Sequence, residues 1–323
     1  MSGAAPMPPG LDDASRALLA ILAEHNPATG MGVDAIRARA AALARRVQGE
    51  PPPLADVSDH AIAGPGGPTL RVPLYRPDGS AGRGALVWLH GGGFTTGDLD
   101  TRDALCRRLS ATSRVPLLSV DYRLAPEHRW PAAVDDATTL LRWLAANAAR
   151  LEIDAARLGI GGSTAGGNLA AAAALRARDD GGLRLALQVL VYPVLDATAS
   201  LPSYLTCGDG YQLTAAMMRT YLDHYIAPGT DPREPLLSPL HAPSLSGLPP
   251  ACVVVAELDP LRDEVDAYVA RLRQAGVAVE ARRWDGVMHG FFGQAGVLEK
   301  AREAQRFACA AVARALGDGT IAD

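Results

Sequence analysis

The chain has 323 residues, 48% hydrophobic and 20% charged, with a formal net charge of −4. These values suit one large α/β core with a small accessory lobe and exclude disorder over most of the length. All basic residues but Lys300 are Arg, and they form no basic stripe of the kind that binds nucleic acid.

Residues 1–10 are rich in Pro, Gly and Ala and predict no regular element. Residues 11–25 and 33–47 then show apolar side chains at helical spacing, such as Leu18, Leu19 and Leu22, or Val33, Ile36, Ala40 and Leu43. Asp12 and Asp13 precede the apolar run 17–23, whereas a signal peptide needs a cationic start and a longer apolar core. No segment reaches the roughly 18 apolar residues of a membrane span, so no membrane partner is expected. Cys106, Cys207, Cys252 and Cys309 lie far apart with no CxxC pair. That spacing argues against a metal site or a disulfide framework and for a reducing, cytoplasmic setting.

After Pro51-Pro52-Pro53, strand-like runs at 57–62 and 70–75 flank Gly64-Pro65-Gly66-Gly67-Pro68, which predicts an antiparallel hairpin. From residue 85 strands and helices alternate. Apolar runs at 85–89, 116–120, 158–161, 187–191, 252–256 and 277–282 are separated by helical patterns near 101–112, 131–148, 165–177 and 262–275, with a last helix near 297–316. This rhythm predicts βαβ crossovers and a mostly parallel sheet covered on both faces. Residues 196–245 break it, contain a helix-like stretch at 215–225, and read as a lid insertion able to pack on the two amino-terminal helices.

Three glycines follow the strand at 85–89 in His90-Gly91-Gly92-Gly93-Phe94. Consecutive glycines let backbone N–H groups face a substrate, as an oxyanion hole requires, although such a run can also be a plain turn. Phe94 is expected to pack beneath the loop. Gly162-Ser163-Thr164-Ala165-Gly166 then lies between strand and helix and reads as a nucleophile elbow, with Thr at the tip where Ser is usual. Such a turn could also cradle a phosphate, but there is no GxxxxGK[ST] and no GxGxxG after the first strand of a βαβ unit. Ser163 is the other candidate nucleophile, since Gly161-Gly162-Ser163-Thr164-Ala165 also satisfies a small-x-nucleophile-x-small rule. The tip of an elbow takes a strained positive φ that a β-branched residue tolerates poorly. The extra methyl must therefore point at the glycine loop, at the base or at the elbow backbone. Asp259, after the strand at 252–256, and His289, after the last strand, follow in the order of an acid and a base in this kind of sheet. The alternative for Asp259 is a helix N-cap.

Together His90-Gly91-Gly92-Gly93, Asp121-Tyr122-Arg123-Leu124-Ala125-Pro126-Glu127, Ala165-Gly166-Gly167-Asn168-Leu169, Asp259-Pro260-Leu261-Arg262-Asp263 and His289-Gly290-Phe291 resemble the hormone-sensitive-lipase-like family of α/β-hydrolases, known in bacteria as family IV carboxylesterases. The resemblance implies an α/β-hydrolase fold with an eight-stranded, mostly parallel sheet flanked by helices and topped by a helical cap. Residues 1–50 and 196–245 would form the cap, and 51–195 with 246–323 the core. It implies catalysis by Thr164, Asp259 and His289, with the N–H groups of Gly91, Gly92 and Ala165 as the oxyanion hole and His90, Gly93, Gly162 and Gly166 as its support. The chain departs from the family at Ser163, where an acidic residue is usual, and at Thr164. The expected activity is hydrolysis of small short-acyl esters without metal or cofactor, at a reduced rate. A homodimer through the outer face of 277–316 is implied by the same analogy. A ligand-binding pseudoenzyme, as in the plant gibberellin receptors, or an amidase or lactonase using the same residues, are the other readings.

Overall fold

The structure, a computed structural model, describes residues 8–23 and 31–322. Helices α1 (Asp13–Ala23) and α2 (Val33–Val47) come first. The prediction carries the first helix to residue 25; residues 24 and 25, like residues 1–7, lie outside the described residues. Strands β1 (Asp56–Ala63) and β2 (Thr69–Arg76) form the predicted antiparallel hairpin, with Asp56 opposite Arg76 and Ala63 opposite Thr69.

The alternating series runs β3 (Ala85–Leu89), α3 (Leu99–Ser113), β4 (Leu117–Ser119), α4 (Ala132–Asn147), β5 (Leu158–Ser163), α5 (Ala165–Asp180) and β6 (Leu187–Val191). After α6 (Ser203–Thr206) and α7 (Ala215–Tyr225) it closes with β7 (Ala251–Leu258), α8 (Arg262–Gln274), β8 (Val279–Met288) and α9 (Glu299–Leu316). One eight-stranded sheet in the order β1-β2-β4-β3-β5-β6-β7-β8 results, antiparallel only where β2 meets β1 and β4. The expected α/β-hydrolase architecture is therefore present.

The apolar core splits by strand pleat. Along β3, Val87 and Leu89 face the layer of α4, α5 and α8, while Leu86 and Trp88 face that of α3 and α9. A strand buried on both sides has no polar face to show, which is why its sequence is a continuous apolar run. The alanines of α5 let it lie close on the sheet, and residues Ala165 to Leu175 are all buried. Its one polar member there, Asn168, donates from Nδ2 to the carbonyls of Val194 and Leu237 at 2.9 and 2.8 Å, tying the long insertion to the elbow helix.

Two elements differ from expectation. β8 reaches Met288 because its pairing with β7 continues through Val255 opposite Arg283 and Ala256 opposite Trp284, then past a bulge to Leu258 opposite Met288. Arg282, Arg283 and Asp285 are exposed on this edge strand and interrupt the apolar signal. The short α6 follows Pro202 and carries too few residues for a periodic pattern. Among the described residues no helix is long and apolar enough to cross a membrane.

Candidate active site

Parallel strands deliver their carboxyl ends to one edge of the sheet, where loops gather around a crevice. The elbow sits there. Ser163 is the last residue of β5, paired with Val191, and Thr164 stands at the apex with φ 50° and ψ −113°. Its N–H donates to the Val191 carbonyl at 2.9 Å, and its carbonyl accepts from Asn168 and Val194. The side chain makes no capping bond to α5. A Thr used only to start a helix would make one.

The flanking glycines are required by contact. A Cβ on Gly162 would lie 2.4 Å from the Gly166 carbonyl carbon, and one on Gly166 would lie 2.0 Å from the Leu89 carbonyl oxygen. The third contact bears on chemistry. A Cβ on Gly91 would lie 2.2 Å from Thr164 Cγ2. Of the three directions open to the added methyl, the structure takes the one toward the glycine loop.

That loop leaves β3 with φ 138° at Gly92, 58° at Gly93 and 60° at Phe94. Among the described residues, none of the N–H groups of Gly91, Gly92 and Ala165 is taken by a backbone carbonyl. Phe94 packs beneath the loop as expected, its ring stacked on Tyr225 of α7 at 3.8 Å between centroids. The Tyr221 ring of the same helix covers Gly93, where a Cβ would meet it at 2.3 Å. His90 is buried behind the loop, its ring stacked on Tyr122 at 4.2 Å, and the Tyr122 hydroxyl donates to the His90 carbonyl at 2.7 Å. Burial pushes the His90 imidazole down to about 4, so it is neutral at physiological pH.

Asp259 and His289 lie 30 residues apart in sequence and meet at 2.7 Å, His289 Nδ1 to Asp259 Oδ2. Asp259 is 1% exposed, and its other oxygen accepts from the N–H of Leu261 at 2.8 Å, so the carboxylate shapes the turn into α8 and holds the ring at once. Thr164, Ser163, Gly91, Gly92, Gly93 and His289 all border one cavity of about 720 Å³, which α1, α2 and the 209–221 segment close from above. The Tyr211 hydroxyl joins that segment to the amino-terminal one by donating to the Pro9 carbonyl at 2.8 Å.

Tyr192 escapes the sequence reading. It follows β6 with φ 34°, lines the same cavity, and sets its ring 4.6 Å from that of His289 at a tilt of 51°. Its position at the carboxyl end of a central strand was the available signal. Among the described residues no cluster of His, Cys, Asp and Glu is fit to hold a metal ion.

The comparisons with known proteins agree with this geometry. A family model described as the α/β hydrolase fold matches residues 86–293. The carboxylic ester hydrolase LipN of Mycobacterium tuberculosis is 44% identical, over 81% of this chain and 72% of its own. An ethyl acetate hydrolase of Pseudomonas putida is 41% identical, over 76% and 79%. Among solved structures, the hyperthermophilic esterase of the archaeon Pyrobaculum calidifontis superposes with a TM-score of 0.89 at 38% identity, over 95% of this chain and 99% of that one. An ester-hydrolase from the metagenome of Lake Arreo, complexed with a bipyridine phosphonate derivative, gives 0.90 at 36% identity, over 94% and 98%. With a glycine loop, an elbow and an Asp-His pair on one cavity, the chain belongs to the hormone-sensitive-lipase-like, or family IV, esterases of the α/β-hydrolase fold.

Proposed function

We propose that this chain is a carboxylesterase that works through an acyl-enzyme on Thr164, more slowly than a Ser at the same tip would allow. The observation that carries this reading is the 2.7 Å Asp259–His289 bond beside a cavity shared with the positive-φ apex at Thr164. The Thr164 oxygen attacks the ester carbonyl carbon while its proton passes to His289 Nε2. Asp259 keeps Nδ1 protonated and steadies the imidazolium. The N–H groups of Gly91, Gly92 and Ala165 hold the oxyanion, the C–O bond breaks, and the alcohol leaves with the proton from His289. Water, activated by the same ring, then releases the acid. Staggering about Cα–Cβ separates the hydroxyl from the methyl that faces Gly91, which keeps the oxygen out of the glycine loop. The methyl itself crowds the first oxyanion donor. Residues 1–50 and 196–245 serve as the cap over the core formed by 51–195 and 246–323. β8, at the sheet edge, offers the face for a homodimer.

The test is turnover of p-nitrophenyl acetate and butyrate by the parent, Thr164→Ser, Thr164→Ala and Ser163→Ala. Thr164→Ser is expected to gain on the order of 10²-fold, the cost of misplacing reacting atoms by about 1 Å. Thr164→Ala should fall to the rate without protein. A Thr164→Ala variant as fast as its parent, with Ser163→Ala inert, would move the nucleophile to Ser163. If the parent and Thr164→Ser were both inert, the ligand-binding reading would replace this one.

A further inference from the structure

Two guanidiniums, those of Arg39 and Arg102, stand on the cavity wall and have no part in the Asp-His pair or the glycine loop. Arg102 stands on α3, which a reciprocal cap fixes: Asp98 Oδ1 accepts from Thr101 N at 2.6 Å and Thr101 Oγ1 accepts from Asp98 N at 3.1 Å. It borders the same cavity as Thr164 and His289, beside Leu105 of its own helix. Arg39 of α2 donates to Met31 Sδ at 3.3 Å, and Arg37, Arg107 and Arg108 nearby are engaged as well. Arg37 clasps Glu127 with two bonds of 2.8 and 2.7 Å, Arg107 pairs with Asp103 at 2.7 Å, and Arg108 donates to the carbonyls of Gln48 and Glu50. Arg102 differs. Its Nε is buried without an acceptor, and among the described residues the guanidinium makes no ion pair or hydrogen bond.

A partly buried cation without a counter-charge is costly to keep unless a ligand completes it. Burial dominates the proton affinities of His90, Tyr122 and Tyr192, lowering the first and raising the other two, and the charge of Arg102 adds a smaller downward pull on each, so its field reaches the loops around the site. Asp209 is the one carboxylate on the described cavity lining, and it is exposed and accepts from the Gly210 N–H at 2.9 Å rather than pairing with Arg102. Leu19, Leu22, Ile36 and Leu43 add apolar surface to the same cavity. About 720 Å³ is far more room than an acetyl or butyryl ester fills, and lies in the range of sites that enclose a whole drug-sized molecule.

We infer that Arg102 recognises a carboxylate, and that this enzyme takes half-esters of dicarboxylic acids: an ester at Thr164, an apolar spacer, and a free carboxylate on Arg102. The planar fork of a guanidinium matches the two oxygens of a carboxylate. A single guanidinium balances one negative charge, whereas a phosphate monoester would leave charge unmatched. Hydrolysis adds one water across the ester C–O bond and yields a dicarboxylic acid and an alcohol; the second carboxylate is not altered. The inference rests on the ester-hydrolase reading above, in which Arg102 positions substrate and touches no reacting bond.

The test compares monoethyl adipate with ethyl hexanoate, a neutral ester of the same acyl length, at neutral pH in the parent, Arg102→Met and Arg102→Lys. The ratio of kcat/KM for the charged over the neutral ester should fall roughly 10- to 100-fold in Arg102→Met, mainly through KM, and less in Arg102→Lys. An unchanged ratio overturns the inference. Calorimetric titration of the same proteins with adipate separates the two claims. If no ester is turned over but adipate binds the parent more tightly than Arg102→Met, the hydrolase reading fails and the carboxylate site stands. Equal affinity in both proteins sinks the site whatever the turnover, and matching melting temperatures exclude misfolding as the cause.

Discussion

In the proposed mechanism a single methyl decides how this site performs. Thr164 Cγ2 faces Gly91 so closely that no side chain fits at that glycine, and Gly91 supplies the first oxyanion donor in the proposed mechanism. Catalysis rests on interactions that tighten in the transition state, so crowding at the oxyanion costs rate even where substrate still binds. The gain in Thr164→Ser should therefore appear in kcat more than in KM, as separate determination of the two would show. An equal change in both would place the methyl's effect on binding instead. Tyr192, its ring tilted against that of His289 at 4.6 Å, belongs to the same scale. Tyr192→Ala should lower kcat about tenfold by letting the ring turn, with p-nitrophenyl butyrate as the readout; unchanged kcat would show that Asp259 alone holds His289. Chain order was enough to find Asp259 and His289, because each follows an apolar run in sequence. The direction of the Thr164 methyl and the place of Tyr192 were not legible, since both depend on rotamer and backbone details that no local pattern encodes.

At the level of elements, the elbow works because β5, α5 and the end of β3 approach more closely than any side chain permits. A methyl on Gly162 would overlap the Gly166 carbonyl carbon at 2.4 Å and the Leu89 carbonyl oxygen at 2.5 Å, all of it backbone with nowhere to move. Gly162→Ala should cost roughly 3 kcal/mol or more, at the upper end of overpacking, and abolish turnover together with stability. Urea unfolding beside the parent checks this, and a loss under about 1 kcal/mol would mean that the turn can relax. The glycine pair, the hairpin turn and the alanines of α5 were all visible in the sequence, because steric demand restricts residue type. The upper half of β8 was not, since the exposed Arg282, Arg283 and Asp285 of this edge strand interrupt the apolar signal. The short α6 was hidden for the opposite reason, having no room for a period.

Over the whole molecule, the sheet gathers residues from five separated segments behind and around one cavity, and part of that support depends on pH. His90 is buried and neutral at about 4 in the folded chain, against an ordinary value near 6.5 once unfolded. The unfolded state then binds more protons, so this contribution to stability is full near pH 7 and is lost as pH falls from about 6.5 toward 4. By pH 5 the loss amounts to about 2 kcal/mol. Urea unfolding at pH 7 and pH 5 should show that much more acid destabilisation in the parent than in His90→Asn; equal losses would contradict the burial argument. The β/α alternation made the core legible and the break at 196–245 pointed to a lid packed on the two amino-terminal helices, yet which side chains of α1, α2 and residues 209–221 line the cavity became visible only in three dimensions. The most direct test of the central claim is to treat the intact protein with an alkyl p-nitrophenyl phosphonate, which traps the attacking oxygen, and to map the adduct by peptide mass spectrometry. The account predicts one phosphonyl group on Thr164, absent from Thr164→Ala and slowed in His289→Ala. An adduct on Ser163, or an ester-hydrolysing protein that carries none, would contradict it.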